Sequence, residues 1–182
     1  MNPIFLDMDG VLVNWSGGLC KLLGIDPLHP EAQRILKGTG KAEGWAFGPE
    51  EEVDKAILKA GYDFWFELEL MPWAHDLFEM CQKHGEVIFL TAPGKFHVGA
   101  HAKLDYVKKH FGKTRTVLTK HKEFCAAPGR VLVDDFGKNI DSWVSYGGSG
   151  FLWENQWVLK EDPKRVTEEM KRLDQFITLH KI

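Results

Sequence analysis

Short apolar runs that are separated by helical patterns constrain the fold of this chain more than any other feature. Runs of this kind are typical of strands buried on both faces, which occur in parallel sheets. Strands that alternate with helices predict an α/β fold, here a Rossmann-like three-layer sandwich around a parallel central sheet. The predicted strands are residues 4–6, 86–91, 115–119, 130–133 and 150–153, and the predicted helices are residues 73–84, 98–111 and 163–177.

The stretch after the first strand does not follow this alternation. It carries two helical segments, residues 18–23 and 49–60, around the glycine-rich residues 37–48. A plain connection between a strand and a helix is much shorter. We therefore expect a small helical cap inserted after the first strand. The predicted division is a catalytic core of residues 1–14 and 72–182 and a cap of residues 15–71.

The net charge and the cysteine content indicate which partners and which cellular compartment to expect. The 182 residues carry a net charge of −3, which gives no general attraction to nucleic acid or to an anionic membrane. No stable nucleic-acid partner is expected, and a phosphate site must be built locally. The N-terminus shows neither a targeting signal nor a membrane span, and 3 cysteines without paired spacing indicate reduced thiols. We expect a cytoplasmic protein. The sequence does not decide its oligomeric state, and a homodimer is one of the alternatives.

Two carboxylates lie at the end of the first predicted strand. Asp7 and Asp9 are separated by one residue, so both face the same edge of the sheet. One carboxylate can attack a phosphorus atom, and the other can donate a proton to the leaving oxygen. Gly10 allows the sharp turn that follows. A calcium-binding loop is excluded because the acidic spacing does not continue and a strand precedes it.

Three further predicted strands end in a hydroxyl, in lysines and in an acidic pair. Thr91 can hold phosphate oxygens, and Lys120 or Lys122 can neutralise a phosphate. Asp134 and Asp135 are costly side by side unless a cation lies there, and Mg²⁺ is the natural one. Taken singly, each residue is more often part of a turn, a cap or a solvated loop. Together they supply what phosphoryl transfer requires, at the edge where open α/β sheets bind ligands.

This ordered set resembles the motifs of the haloacid dehalogenase (HAD) superfamily, which are DxD, Ser/Thr, Lys and an acidic pair. The resemblance implies the HAD fold, with Asp7 forming an aspartyl-phosphate and Asp9 acting first as general acid and then as general base. It also implies that Thr91 binds the phosphoryl group. The expected cofactor is Mg²⁺, held by Asp134 and Asp135 together with the two carboxylates of the first motif.

A narrower resemblance concerns the 5'(3')-deoxyribonucleotidases, which dephosphorylate nucleoside monophosphates. It is carried by the phrases DMDGVLVNW, FWFELELMPWAHDLFEM, FLTAPGKFHVGAHAKLDYVKKHFG and VLTKHK…VLVDD, which occur in this order. The resemblance implies phosphate contacts from Lys103 and Lys122 and an aromatic wall at Trp15. It also implies that Trp45 and Phe47 stack on the base.

Two residues depart from the nucleotidase pattern. Lys120 stands where the family usually has an arginine, and Ala92 follows the motif threonine where the family has a serine. Both positions contact phosphate or sugar in the family. The departures therefore concern nucleotide specificity rather than phosphatase chemistry.

The predicted activity is hydrolysis of a small phosphorylated substrate, above all a nucleoside monophosphate. The alternatives among enzymes are a phosphatase for another phosphomonoester, such as a sugar phosphate, and one for a polynucleotide 3'-end. A polymer would favour a basic channel, and the cap segment is not notably basic. The alternative from a different class is a non-catalytic Mg²⁺- or nucleotide-binding module. Such a module should have lost Asp7 or Asp9, and both are present.

Overall fold

A five-stranded parallel sheet forms the centre of the computed structural model, which describes residues 2–37, 47–94 and 97–180. The strands are β1 (Ile4–Leu6), β2 (Val87–Thr91), β3 (Arg115–Leu118), β4 (Val131–Asp134) and β5 (Ser149–Leu152). They lie in the order β3-β2-β1-β4-β5, and every neighbouring pair is parallel. The predicted α/β fold with a parallel central sheet is confirmed.

The strand order reverses at β1. The chain passes from β1 to β2 and β3 on one side, and then crosses to β4 and β5 on the other side. Leu6 at the end of β1 lies opposite Phe89 of β2 and Val133 of β4, so the carboxyl ends of these three strands are nearly level. A crevice forms where the order of an open α/β sheet reverses, and ligands bind there.

Helices cover both faces of the sheet. In the described residues they are α1 (Trp15–Leu23), α2 (Pro30–Leu36), α3 (Glu50–Phe66), α4 (Ala74–His84), α5 (His97–Phe111), α6 (Gly137–Ser145), α7 (Gln156–Leu159) and α8 (Pro163–His180), with a 3₁₀ turn at Lys122–Cys125. None of the described helices is long and apolar enough to cross a membrane. Ile4 and Leu6 belong to a larger core with α4, α5 and α8, whereas Phe5 points to a smaller core with Trp143 of α6.

Three helices were not predicted from the sequence, namely α2, α6 and α7. The sequence of α6 contains Gly, Asn, Asp and Ser, which are weak helix formers. Packing of Ile140 and Trp143 against the smaller core stabilises this helix instead. The helix predicted for residues 49–60 ends at Gly61, whose φ of 63° is not helical, and after this kink a second helical segment of α3 runs to Phe66.

The helices α1, α2 and α3 lie in the stretch that the sequence assigns to a cap. Hydrogen bonds join these helices to the rest of the protein, and those of α2 and α3 are as follows. The Tyr62 hydroxyl of α3 donates to Asp105 of α5 at 2.9 Å. The Asn155 side-chain amide donates to the Leu36 carbonyl at the end of α2, also at 2.9 Å. The boundaries of the cap stay a prediction, and these contacts tie α2 and α3 to α7 and α5.

A truncation in β4 tests the smaller core. Leu132 is 0% exposed, whereas Leu152 in the neighbouring strand is 50% exposed. Leu132→Ala should lower the free energy of unfolding in urea by about 2–5 kcal/mol, because it leaves a cavity in the core. The matched control Leu152→Ala should change it by less than about 0.5 kcal/mol. Equal losses in the two variants would contradict the assigned burial.

Candidate active site

Three carboxylates meet at the carboxyl edge of the two central strands. Asp7 follows β1 directly, Asp134 is the last residue of β4, and Asp135 comes next. The backbone N–H of Asp7 donates to the Val133 carbonyl at 2.9 Å, which holds the two strand ends together. One oxygen from each of the three carboxylates lies within 4.8 Å of the other two. Asp7 and Asp134 are both buried.

Gly10 makes room for this group. Its φ is 80°, in the left-handed region that favours glycine. A Cβ added to Gly10 would lie 2.0 Å from the Asp135 Oδ2 atom, closer than any real contact. A side chain at this position would therefore push the Asp135 carboxylate away from Asp7. The glycine of the first motif is required by this close approach as well as by the turn.

Lys122 is the cation inside the acidic group. Its Nζ atom lies 2.5 Å from Asp134 Oδ2, to which it donates, and 2.7 Å from Asp7 Oδ1. The Lys122 side chain is buried, and desolvation by itself lowers its pKa. The neighbouring Asp7 and Asp134 carboxylates outweigh that cost, so the pKa of Lys122 is raised and the ammonium stays charged. Lys120, the other candidate lysine, is exposed and lies outside this cluster.

A second lysine organises the other side of the site. Lys103 of α5 donates to Asp9 Oδ2 at 2.5 Å, to Thr91 Oγ1 at 3.1 Å and to the Ala92 carbonyl at 2.9 Å. Burial raises the pKa of Asp9 in spite of the Lys103 charge, and the negative charge of Asp7 acts in the same direction. This carboxylate is therefore easier to protonate than a solvated one. Asp9 faces Lys103, and it is not part of the group formed by the other three carboxylates.

Burial also changes the acidity of the Asp pair. Burial, followed by the negative charge of Asp7, raises the pKa of Asp134 to about 6. Burial, then the charges of Asp7 and Asp134, raises the pKa of Asp135 well above its usual range. Both shifts reflect desolvation of the carboxylates first and repulsion from Asp7 second, and a bound cation would oppose both effects. Hard carboxylate oxygens at this spacing suit a divalent cation such as Mg²⁺, so the residues fit the predicted metal.

Asn139 is a site residue that the sequence did not reveal. Its side-chain amide donates to both oxygens of Asp134, at 3.1 and 2.9 Å, and the backbone N–H of Phe136 donates to Asp134 Oδ1 at 2.9 Å. Together with Lys122 these donors fix the orientation of the carboxylate. Asn139 lies in the first turn of α6. Because this helix was not predicted, the sequence did not indicate that Asn139 contacts Asp134.

A cavity of about 330 Å³ opens from the acidic group. Trp15 and Phe47 line it, with ring centroids 6.2 Å apart and nearly perpendicular planes. Its other walls come from the end of α2 and from α7. Trp157, which the sequence did not single out, donates its indole N–H to Ser16 Oγ at 3.0 Å. Trp45 lies outside the described residues.

The structure thus divides the predicted residues into four places. Asp7, Asp134, Asp135 and Lys122 form one cluster, and Asp9, Thr91, Ala92 and Lys103 form a second cluster beside it. Trp15 and Phe47 line the adjoining cavity, and Lys120 lies outside all three. The roles assigned to these residues stay predictions.

Comparisons with known proteins gave similarity at the level of three-dimensional structure. No protein-family model and no curated protein matched the chain. A haloacid dehalogenase-like hydrolase of Streptococcus pneumoniae is 18% identical, with a TM-score of 0.49 and coverage of 82% of this chain and 83% of that chain. A HAD-superfamily hydrolase of subfamily IA from Geobacter sulfurreducens is 13% identical, with a TM-score of 0.48 and coverage of 82% and 88%. The HAD-hydrolase YfnB of Bacillus subtilis, bound to magnesium, is 15% identical, with a TM-score of 0.49 and coverage of 82% and 85%. Similarity of this degree concerns the fold and assigns no activity to this chain.

The two candidate lysines can be separated by substitution. Lys122→Met should lower the free energy of unfolding by about 3–5 kcal/mol, because it leaves buried carboxylates without their cation. Lys120→Met, in an exposed loop, should change it by less than about 0.5 kcal/mol. Urea denaturation of both variants measures the difference. A larger loss for Lys120→Met would contradict the position of Lys122 between Asp7 and Asp134.

Proposed function

We propose that this chain is a Mg²⁺-dependent phosphomonoesterase of the HAD superfamily. The observation that carries the proposal is the meeting of two lysine-carboxylate clusters at the strand ends where the sheet order reverses. One cluster offers a nucleophile and a cation site, and the other offers a proton donor beside a hydroxyl. These are the parts of a two-step phosphoryl transfer.

Asp7, Asp134 and Asp135 are the residues that would hold Mg²⁺. One oxygen from each lies within 4.8 Å of the other two, and burial together with the charge of Asp7 raises the pKa values of Asp134 and Asp135. When bound, the cation neutralises charge on the phosphate oxygens and on the surrounding carboxylates. Asn139 and Lys122 hold the Asp134 carboxylate in a single orientation, which keeps the geometry of the site fixed as substrate enters.

In the first step, an Asp7 carboxylate oxygen attacks the phosphorus atom. A bond forms between that oxygen and phosphorus, and the bond between phosphorus and the leaving oxygen breaks. The electron pair goes to the leaving oxygen, which takes a proton from Asp9. Burial raises the pKa of Asp9, which favours the protonated acid at the start of this step. The Lys103 ammonium and the Thr91 hydroxyl lie next to Asp9 and offer positive charge and a donor to the transferring group.

In the second step, water replaces Asp7 on phosphorus. The Asp9 carboxylate, now ionised, takes a proton from the attacking water. A new bond forms between the water oxygen and phosphorus, and the bond from phosphorus to Asp7 breaks. Inorganic phosphate leaves, and both carboxylates return to their starting states.

The proposed substrate is a nucleoside monophosphate, and no macromolecular partner is required. The cavity beside Asp7 and Asp9 offers the Trp15, Phe47 and Trp157 rings to a planar base. Stacking of a base on an aromatic side chain contributes about 1–3 kcal/mol. A sugar phosphate is the second candidate, because the same cavity also presents polar side chains from α7. We expect the enzyme to act in the cytoplasm.

A phosphate-release screen tests the proposal. Nucleoside monophosphates, sugar phosphates and p-nitrophenyl phosphate should be assayed with Mg²⁺ and with a chelator. We expect release from a nucleoside monophosphate that stops with chelator and returns with Mg²⁺. Asp7→Asn should abolish multiple turnover, because an amide does not form the acyl phosphate. Turnover by this variant would reject Asp7 as nucleophile, and a preference for sugar phosphates would reject the nucleotidase part alone.

The role of Asp9 depends on the leaving group. Asp9→Asn should slow the hydrolysis of dUMP, whose leaving alkoxide needs a proton, by roughly 10²–10⁴-fold. It should slow p-nitrophenyl phosphate far less, since p-nitrophenolate leaves without protonation. Single-turnover rates of leaving-group release measure the difference, because the second step, in which Asp9 also acts, is common to both substrates. Equal losses on both would show that Asp9 does not act as the general acid.

A further inference from the structure

Trp65, which lies near the end of α3, contacts the lysine that organises the second cluster. The indole is only 5% exposed, and the Lys103 Nζ atom lies 5.0 Å from its ring centroid. We infer that Trp65 is a positioning residue: its ring face holds the Lys103 ammonium by a cation–π interaction, and Lys103 in turn holds Asp9 and Thr91. The inference rests on the function proposed above, because its effect is expressed in the proton transfer by Asp9.

The surroundings of the Lys103 ammonium show why one more contact matters. A lysine ammonium has three N–H donors, and three acceptors are in place: Asp9 Oδ2 at 2.5 Å, Thr91 Oγ1 at 3.1 Å and the Ala92 carbonyl at 2.9 Å. Lys103 is 2% exposed, so little water reaches it. The Trp65 ring therefore lies against a desolvated cation. Cation–π attraction is strongest for tryptophan and increases when the cation is desolvated.

Close packing fixes the Trp65 ring in this place. A Cβ added to Gly94 would lie 3.1 Å from the Trp65 ring, and one added to Gly99 would lie 3.0 Å from it. These glycines let the indole lie directly on the start of α5. Phe64 makes an edge contact with the indole, with ring centroids 5.0 Å apart and an interplanar angle of 77°. The orientation of the ring relative to Lys103 is thus set by backbone and side-chain contacts.

Packing alone does not explain an indole at this position. The Trp65 Nε1 atom is buried, and within the described part of the chain it finds no hydrogen-bond acceptor. A buried donor without an acceptor lowers stability, and Phe or Leu would fill apolar space without it. What tryptophan adds is the most negative ring face of any side chain, which a neighbouring ammonium attracts.

Stepwise fluorination of the indole tests the electrostatic role, because fluorine weakens the ring face and changes its shape little. Mono-, tri- and tetrafluorotryptophan should be incorporated site-specifically at position 65, with the single-turnover rate of leaving-group release measured for dUMP and for p-nitrophenyl phosphate. We expect the dUMP rate to fall at each step, to a total loss on the order of tenfold. The p-nitrophenyl phosphate rate should fall less than the dUMP rate, since its leaving group needs no proton and only the contact of Lys103 with the transferring group is affected.

Trp153 provides the matched control. It is 1% exposed, and its Nε1 atom also lacks an acceptor among the described residues. Its ring packs against Trp73 and Phe151 in the larger core. The same fluorinated series at Trp153 should leave both rates unchanged. Trp65→Phe, which keeps a weaker ring face, should retain more dUMP activity than Trp65→Leu at equal thermal stability.

The outcomes separate the inference from the function on which it rests. The inference is overturned if fluorination at Trp65 produces no trend, if Trp153 gives the same trend, or if both substrates slow equally, as loss of general packing would cause. Wild-type protein that releases phosphate from neither substrate overturns the proposed phosphatase and this inference with it. Wild-type turnover without a fluorination trend overturns the inference alone.

Discussion

The structure depends on keeping three carboxylates close together, two of which, Asp7 and Asp134, are buried. Asp7, Asp134 and Asp135 come from two central strands, and their mutual repulsion favours separation of the strand ends. The Lys122 ammonium offsets this repulsion, because it contacts both Asp7 and Asp134. The backbone hydrogen bond between Asp7 and Val133 holds the strands in register beneath. The candidate site therefore lies at the end of the central strands, where helices pack on both faces of the sheet.

The two buried lysines have separate partners. Lys122 contacts Asp7 and Asp134, and Lys103 contacts Asp9 and Thr91. Acceptors surround each ammonium and offset the free-energy cost of burying a charged group. In the proposed reaction, this separation allows Asp9 to exchange a proton while the charges around Asp7 stay fixed. The two clusters have no lysine in common.

The stretch between β1 and α4 contributes to the site from two directions. On one side α3 packs on α5, through the hydrogen bond from Tyr62 and through the Trp65 ring over Lys103. On the other side α2 is held by Asn155, and Trp15 and Phe47 line the cavity. The predicted cap would therefore do more than select the leaving group. Trp65 of α3 also contacts Lys103, the lysine that holds the proposed general acid, Asp9.

The α/β fold and most of the candidate residues could be predicted from sequence patterns alone. Apolar runs that end in polar residues are local features of a sequence. Parallel strands bring their carboxyl ends to one edge of the sheet. The sequence alone therefore grouped four residues, namely Asp7, Thr91, Lys122 and Asp134. The helix α6 escaped prediction because packing, not local propensity, stabilises it, and Asn139 escaped with it. The contacts of Lys103 could be seen only in the folded protein. It donates hydrogen bonds to Asp9, Thr91 and Ala92, and its ammonium contacts the Trp65 ring. Such contacts join residues far apart in the chain, and their distances depend on how helices dock, which no local pattern encodes.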